Sequence, residues 1–226
     1  MRDVDVRRVL LERLNNLYSD DRNTIIVEEL GLCGGFVRVD VAVVNGCLKG
    51  YEIKSDRDTL KRLGRQAITY GKVFDSVTLV SGETHLAQAS ALLPDWWGIE
   101  VAQFDRQSGK TQLVPFRPEK PNPGIEPIDL ARLLWRDEVL SVLDRIVPGH
   151  KLAQKSRKHL WKALVDAVPV DELKVIVRDG LRNRMRWRVV GKHTQYDERL
   201  QPCATSSDCL SQPARSRSHR YNHRPN

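Results

Sequence analysis

The sequence predicts an α/β fold, a mixed central sheet flanked by helices, with a basic helical appendage behind it. Three observations predict it. Short apolar, β-branched runs at 25–27, 38–44, 50–54, 76–80 and 99–104 read as strands. Runs with helical spacing interrupt them at 60–70 and 85–93, giving the order α-β-β-β-α-β-α-β. A proline-rich stretch then separates this half from three amphipathic helical patterns rich in Lys and Arg.

The elements follow in order. The first helix carries Glu12. The run Ile25-Ile26-Val27 ends in Glu28-Glu29, and Gly31 to Gly35 makes an irregular connection onward. In the next strand Val37, Val39, Val41 and Val43 share one face, and Arg38, Asp40 and Ala42 the other. In its partner Glu52 and Lys54 share a face opposite Tyr51 and Ile53. Asn45-Gly46 marks a hairpin turn. A two-residue turn would pair Asp40 with Tyr51 and set the two carboxylates on opposite faces. A three-residue loop, Asn45-Gly46-Cys47, or a nearby bulge brings Asp40 and Glu52 together.

Strands bury side chains, so two acids and a lysine inside them need a reason. Two carboxylates suit magnesium, a hard ion that takes one or two carboxylates, a carbonyl and waters. Asp40, Glu52 and the backbone carbonyl of Ile53 are the expected ligands, and Mn2+ can substitute. Lys54, a compact charge, is expected beside the attacking water and the phosphate. The helix that follows is capped by Asp56 or Asp58. It sets Gln66 and Tyr70 on one face and offers Lys61, Arg62 and Arg65 to phosphates.

Asp40, Glu52 and Lys54 resemble the signature of the PD-(D/E)XK nuclease superfamily, with Val39 where the eponymous proline stands. Gln66-x-x-x-Tyr70 resembles the motif of RecB-type nucleases. Arg38 to Asn45 and Tyr51 to Asp56 look most like small prokaryotic MmcB-like DNA repair proteins. The resemblance covers about 6–104, roughly half the chain. It implies a restriction-endonuclease-like core and catalytic roles for Asp40, Glu52, Lys54, Gln66 and Tyr70. It also implies magnesium-dependent hydrolysis of DNA, and a further upstream acidic ligand, with Glu29 preferred over Glu28 and Glu12.

The chain has 226 residues and net charge +8, which suits one domain with an appendage. Residues 1–144 carry roughly −3, 145–192 roughly +9 and the rest roughly +2. An acidic catalytic half with a basic annex suits a polyanionic partner. The nuclease-like core spans 1–114, a proline-rich linker 115–127, a basic helical subdomain 128–192 and a disordered basic tail 193–226. The linker, from Pro115 to Gly124, is too proline-rich for helix or interior strand. The last helical pattern, with Asp171 as its cap, carries Lys174, Arg178 and Arg182. These read as a helix-turn-helix-like grip on DNA, or as the rim of a bundle packed on the sheet. In the tail, Cys203 and Cys209 are too widely spaced to favour zinc with His219 and His223. The acidic start argues against a transit peptide, and no apolar stretch is long enough for a membrane span, so a cytoplasmic protein is expected. Two function classes remain. One is a DNA endonuclease of repair, recombination or phage and host defence. The other is a non-cleaving nuclease-fold module that binds DNA or a partner protein. The expected partner is DNA and not a membrane, with a protein partner or a homodimer as further candidates. RNA is a third, weaker substrate class.

Overall fold

Val6, Leu10 and Leu14 recur every four residues, and this apolar stripe forms the inner face of α1 (Asp3–Leu17). The computed structural model describes residues 2–149 and 151–190. After α1 come β1 (Ile25–Leu32), a 3-10 turn (Cys33–Gly35), β2 (Val37–Val44), β3 (Leu48–Lys54) and α2 (Leu63–Gly71). Then follow β4 (Ser76–Gly82), α3 (Leu86–Leu92), β5 (Gly98–Asp105) and β6 (Lys110–Arg117). Four helices close the described chain: α4 (Pro127–Ala131), α5 (Arg136–Ile146), α6 (Arg157–Ala167) and α7 (Val170–Val190).

The six strands form one sheet in sequence order. β1, β2 and β3 pair antiparallel, β3, β4 and β5 pair parallel, and β6 closes the far edge antiparallel to β5. The parallel step from β3 to β4 requires a crossover, which α2 supplies. The α/β class with a mixed sheet is therefore as expected from the sequence, with one strand more. β6 runs into the proline-rich stretch expected to be linker. Pro115 sits in an edge strand, opposite a register shift at Ile99/Glu100, where its missing N–H costs the sheet little.

Each face of the sheet is buried. α1 covers Val41, Val43, Tyr51, Ile53 and Val80. The opposite face joins Tyr70, Phe74, Val77, Leu79 and Trp97 to a larger core. Tyr70 stacks on Trp97 at 5.7 Å and meets the edge of Phe74 at 5.6 Å. Burying each such side chain contributes about 1.5–3 kcal/mol or more. The same core continues without a break into Leu130, Leu134, Val139, Leu143, Leu160, Leu164, Leu173, Val177 and Leu181. The helical appendage is thus packed against the sheet. The proline-rich segment is pinned to it as well. Glu119 accepts hydrogen bonds from Lys49 and Thr78 at 2.6 Å, and Asn122 donates to the carbonyls of Gly71 and Phe74.

Three local expectations change. The first appended helix is two, α4 and α5, broken at Trp135, which N-caps α5. Neither Asp56 nor Asp58 caps α2, which starts only at Leu63 and has no side-chain cap. Asp58 instead accepts from the backbone and hydroxyl of Ser55 at 2.7 Å, closing the turn that leaves β3. Asp171 lies in the first turn of α7. The tail from 193, with its Cys and His residues, lies outside the described residues.

Candidate active site

The loop between β2 and β3 has three residues. Val44 pairs with Leu48 and Val41 with Tyr51, leaving Asn45, Gly46 and Cys47 between the strands. The Asn45 side chain accepts from the Cys47 N–H at 3.1 Å and holds the turn. Extending this register puts Asp40 across from Glu52, whose side chain lies on the side of the sheet that α2 covers. The ladder opens just there, and the Ile53 N–H donates to Asp40 Oδ2 at 2.7 Å.

On the other side of β2, Glu28 pairs with Val41 and Leu30 with Val39, so Glu29 stands opposite Asp40. Three acids, Glu29, Asp40 and Glu52, therefore form a row across β1, β2 and β3. Glu29 has φ +53°, a left-handed conformation uncommon outside glycine. The expectation that Val37, Val39, Val41 and Val43 share a face fails at this row. Val37 and Val39 join the core on the α2 side, while Val41 and Val43 join the core under α1. The alternation of β2 is interrupted at Asp40, which frees its carboxylate to reach both ways.

Glu52 is only 1 % exposed. Its Oε1 accepts from the Lys54 ammonium and from Gln66 Nε2 at 2.6 Å, and its Oε2 accepts from the Tyr70 hydroxyl at 2.5 Å. Gln66 and Tyr70 thus meet the strand from one face of α2, as their four-residue spacing predicts. Tyr70 also lies 2.7 Å from the carbonyl oxygen of Arg38. Burial, and then the nearby charge of Asp40, raise the Glu52 pKa above its ordinary value, against the opposing pull of Lys54 and of the Tyr70 hydrogen bond. Burial and the Glu52 charge likewise push the Tyr70 phenol up. The Gln66 carbonyl oxygen is buried with no hydrogen-bond partner.

One residue of this site escaped the sequence reading. Arg7, on α1, donates to Asp40 Oδ1 at 2.9 Å and to the Asp40 backbone carbonyl at 3.2 Å. It also pairs with Glu29 at 3.2 Å, Asp3 at 3.4 Å and, more weakly, Glu28 at 3.9 Å. Burial opposes its charge, but Asp40 and Asp3 outweigh that and hold the guanidinium firmly protonated. The signal available in sequence was slight: Arg7 adjoins Val6 on the inner side of α1 and follows Asp3 by one helical turn. Glu12, the third upstream candidate, lies elsewhere. It pairs with Arg8 and lines a cleft of about 680 Å³ with Phe104 and Lys110 that contains neither Asp40 nor Glu52.

The two sets of basic residues differ sharply. Lys61, Arg62 and Arg65 are exposed around the start of α2 and form no ion pair among the described residues. Lys174, Arg178 and Arg182 are turned into the fold. Lys174 pairs with Asp75 at 3.0 Å and Arg178 with the same carboxylate at 4.0 Å. Arg182 pairs with Asp179 and donates to the carbonyl of Asn45 at 3.4 Å. These contacts are those of the alternative reading, the rim of a bundle packed on the sheet. Its cations lock α7 onto the β2–β3 loop and the start of β4.

Among the described residues no group of three or more His, Cys, Asp or Glu side chains is arranged to hold a metal by itself. None of their helices is long and apolar enough to cross a membrane.

Fold and site together define an α/β protein whose central strands set Asp40 beside Glu52, with Lys54, Gln66 and Tyr70 on Glu52 and Arg7 and Glu29 beside Asp40. The chain belongs to the family of bacteriophage P4 protein cII, whose pattern matches residues 1–200. It is similar to Protein cII of Enterobacteria phage P4, with 29 % identity over 116 residues, 50 % of this chain and 43 % of that protein. The match thus spans less than half the length of that relative. Among solved structures, the chain is similar to the SPO1766 protein of unknown function from Silicibacter pomeroyi, with 19 % identity and a TM-score of 0.38 over 66 % of this chain and 95 % of that one.

Proposed function

We propose that this protein is a magnesium-dependent nuclease that hydrolyses DNA phosphodiester bonds, acting in repair, recombination or phage and host defence. One observation carries the reading. Glu52, beside Asp40, accepts hydrogen bonds from Lys54, Gln66 and Tyr70, all residues that the PD-(D/E)XK and RecB-type resemblance singles out. Burying a glutamate and a lysine inside a sheet is costly, and hydrophobic packing alone has no use for it.

The residues suit a hard cation. Asp40 and Glu52 offer carboxylate oxygens, Ile53 a backbone carbonyl, and Glu29 a further carboxylate in the same row. The buried, unpartnered Gln66 oxygen offers an acceptor for a water on that ion. A magnesium ion held there lowers the pKa of a bound water and offsets charge on the phosphate. Lys54 orients the nucleophile and steadies phosphate charge. Gln66 and Tyr70 fix the rotamer of Glu52. Lys61, Arg62 and Arg65 lead the DNA backbone to the site.

A second reading is favoured by Arg7. Its grip on Asp40 leaves that carboxylate neutralised within the protein, as suits a non-cleaving module that binds DNA or a partner protein. The deciding experiment incubates the purified chain with labelled single-stranded, duplex and branched DNA and RNA, with and without magnesium. Magnesium-dependent cleavage that drops about a hundredfold or more in Lys54→Ala and Asp40→Ala is expected. Binding without cleavage supports the second reading, and cleavage unchanged by Lys54→Ala removes the proposed site.

A further inference from the structure

We infer that Arg7 is a built-in competitor for the divalent cation, a guanidinium latch that occupies the acid row until metal displaces it. The inference rests on the nuclease reading and concerns the regulation of that same site. Arg7 is placed where a cation would bind. One of its terminal nitrogens meets Asp40 Oδ1 at 2.9 Å, and the other spans the Asp40 carbonyl and Glu29, each at 3.2 Å. Of these two acids, Asp40 is the one beside Glu52 in the neighbouring strand, across the opened ladder. The pairing is partly sheltered, since Arg7 and Asp40 side chains are each 19 % exposed, so it is screened less than a surface pair.

Binding of one cation must weaken binding of the other when they share an acceptor. Asp40 Oδ2 is already engaged by the Ile53 N–H. Its remaining oxygen, Oδ1, is the one Arg7 holds. A metal that takes Oδ1 competes with the guanidinium for that oxygen and is repelled by its charge. Arg7 can still pair with Asp3 on its own helix, 3.4 Å from its Nε, so a resting place for the opened latch exists. The guanidinium cannot lose its proton to make way, so displacement depends on cation concentration.

The test is calorimetric titration of Mn2+ into the wild-type chain, Arg7→Gln, Arg7→Lys and Asp40→Asn, with no nucleic acid present. Arg7→Gln is expected to bind Mn2+ about tenfold or more tightly than wild type, the scale of a partly sheltered ion pair. Arg7→Lys, which keeps the charge but loses the fork, should fall between, and Asp40→Asn should take up none at this site. Circular dichroism establishes that each variant is folded. Should Arg7→Gln misfold without its cation, Arg7→Lys carries the comparison alone. Uptake with equal or weaker affinity in the Arg7 variants overturns the latch while leaving the metal site standing. No uptake in wild type or in any Arg7 variant overturns both.

Discussion

The Tyr70 hydroxyl has a single hydrogen and two acceptors within reach, the Arg38 carbonyl at 2.7 Å and Glu52 Oε2 at 2.5 Å. Protonation of Glu52 resolves this conflict. The acid then donates to the phenol, and the phenol donates to the carbonyl. That exchange agrees with the direction of the Glu52 shift, upward from 4.5 because of burial and then Asp40. The sign for stability follows. Between 4.5 and the raised folded value, the folded chain holds a proton that the unfolded chain has lost, so stability falls as pH rises through that window. Above the window the full penalty of the buried charge remains. Glu52→Gln imitates the protonated acid. Its carbonyl can accept from Lys54 and Gln66, and its amide can donate to Tyr70. In chelator, its Tm at about pH 8 is expected to exceed that of wild type, with the gap closing as pH is lowered towards 4.5. A variant less stable at every pH would mean that the Lys54–Glu52 ion pair outweighs the burial of the carboxylate.

The hairpin of β2 and β3 turns these residue properties into a site, because its loop length sets which side chains face α2. With Asn45, Gly46 and Cys47 as the loop, Glu52 and Lys54 share a face with Gly50 and Leu48. Removing Lys49 while Asn45, Gly46 and Cys47 still form the loop would slip the rest of β3 by one against β2 and set Glu52 opposite Val41. Glu52 and Lys54 would then enter the apolar layer of Val41, Val43 and α1, where burying charge costs more than roughly 3 kcal/mol. The Lys49 deletion is therefore expected to lower the unfolding free energy by at least that much. Deletion of Ser108 in the exposed turn between β5 and β6 should cost far less. Denaturant melts of both compare them, and a Lys49 deletion as stable as wild type would show that register is not what holds the site. This loop was legible, with a bulge as its alternative, once parity was combined with the requirement that Asp40 and Glu52 meet, and the Gln66/Tyr70 pair was legible from helical spacing. Other features were not, for physical reasons. Glu29 takes a left-handed φ that no neighbouring glycine announces. Arg7 meets a strand carboxylate 33 residues away, beyond any periodic pattern. Pro115 reads as a strand breaker, yet at the sheet edge its missing N–H costs the ladder little.

Across the molecule, the sequence reports how many charges there are but not where they point. The +8 balance and the basic second half suggested that α7 meets nucleic acid. In the fold, Lys174 and Arg178 converge on Asp75, whose other role is to accept the Leu48 N–H at 2.8 Å at the start of β3. They serve as internal staples between the appendage and the hairpin that carries the site. Lys61, Arg62 and Arg65, around the start of α2, face solvent instead. The two sets should therefore separate in experiment. Reversing all three charges at 61, 62 and 65 is expected to leave Tm unchanged and to weaken DNA binding across sequences. It should also flatten the salt dependence, by up to about 0.9 in log K per log salt for each phosphate that the variant no longer neutralises. Reversing Lys174 and Arg178 leaves two acids against Asp75 in a half-buried pocket. That change is expected to lower Tm by several degrees while the folded fraction binds DNA with the wild-type salt slope. Fluorescence anisotropy at several ionic strengths, paired with thermal melts, reads both quantities. If the α7 pair moved the salt slope and the α2 trio did not, the DNA path would run over the appendage and the staple assignment would fall.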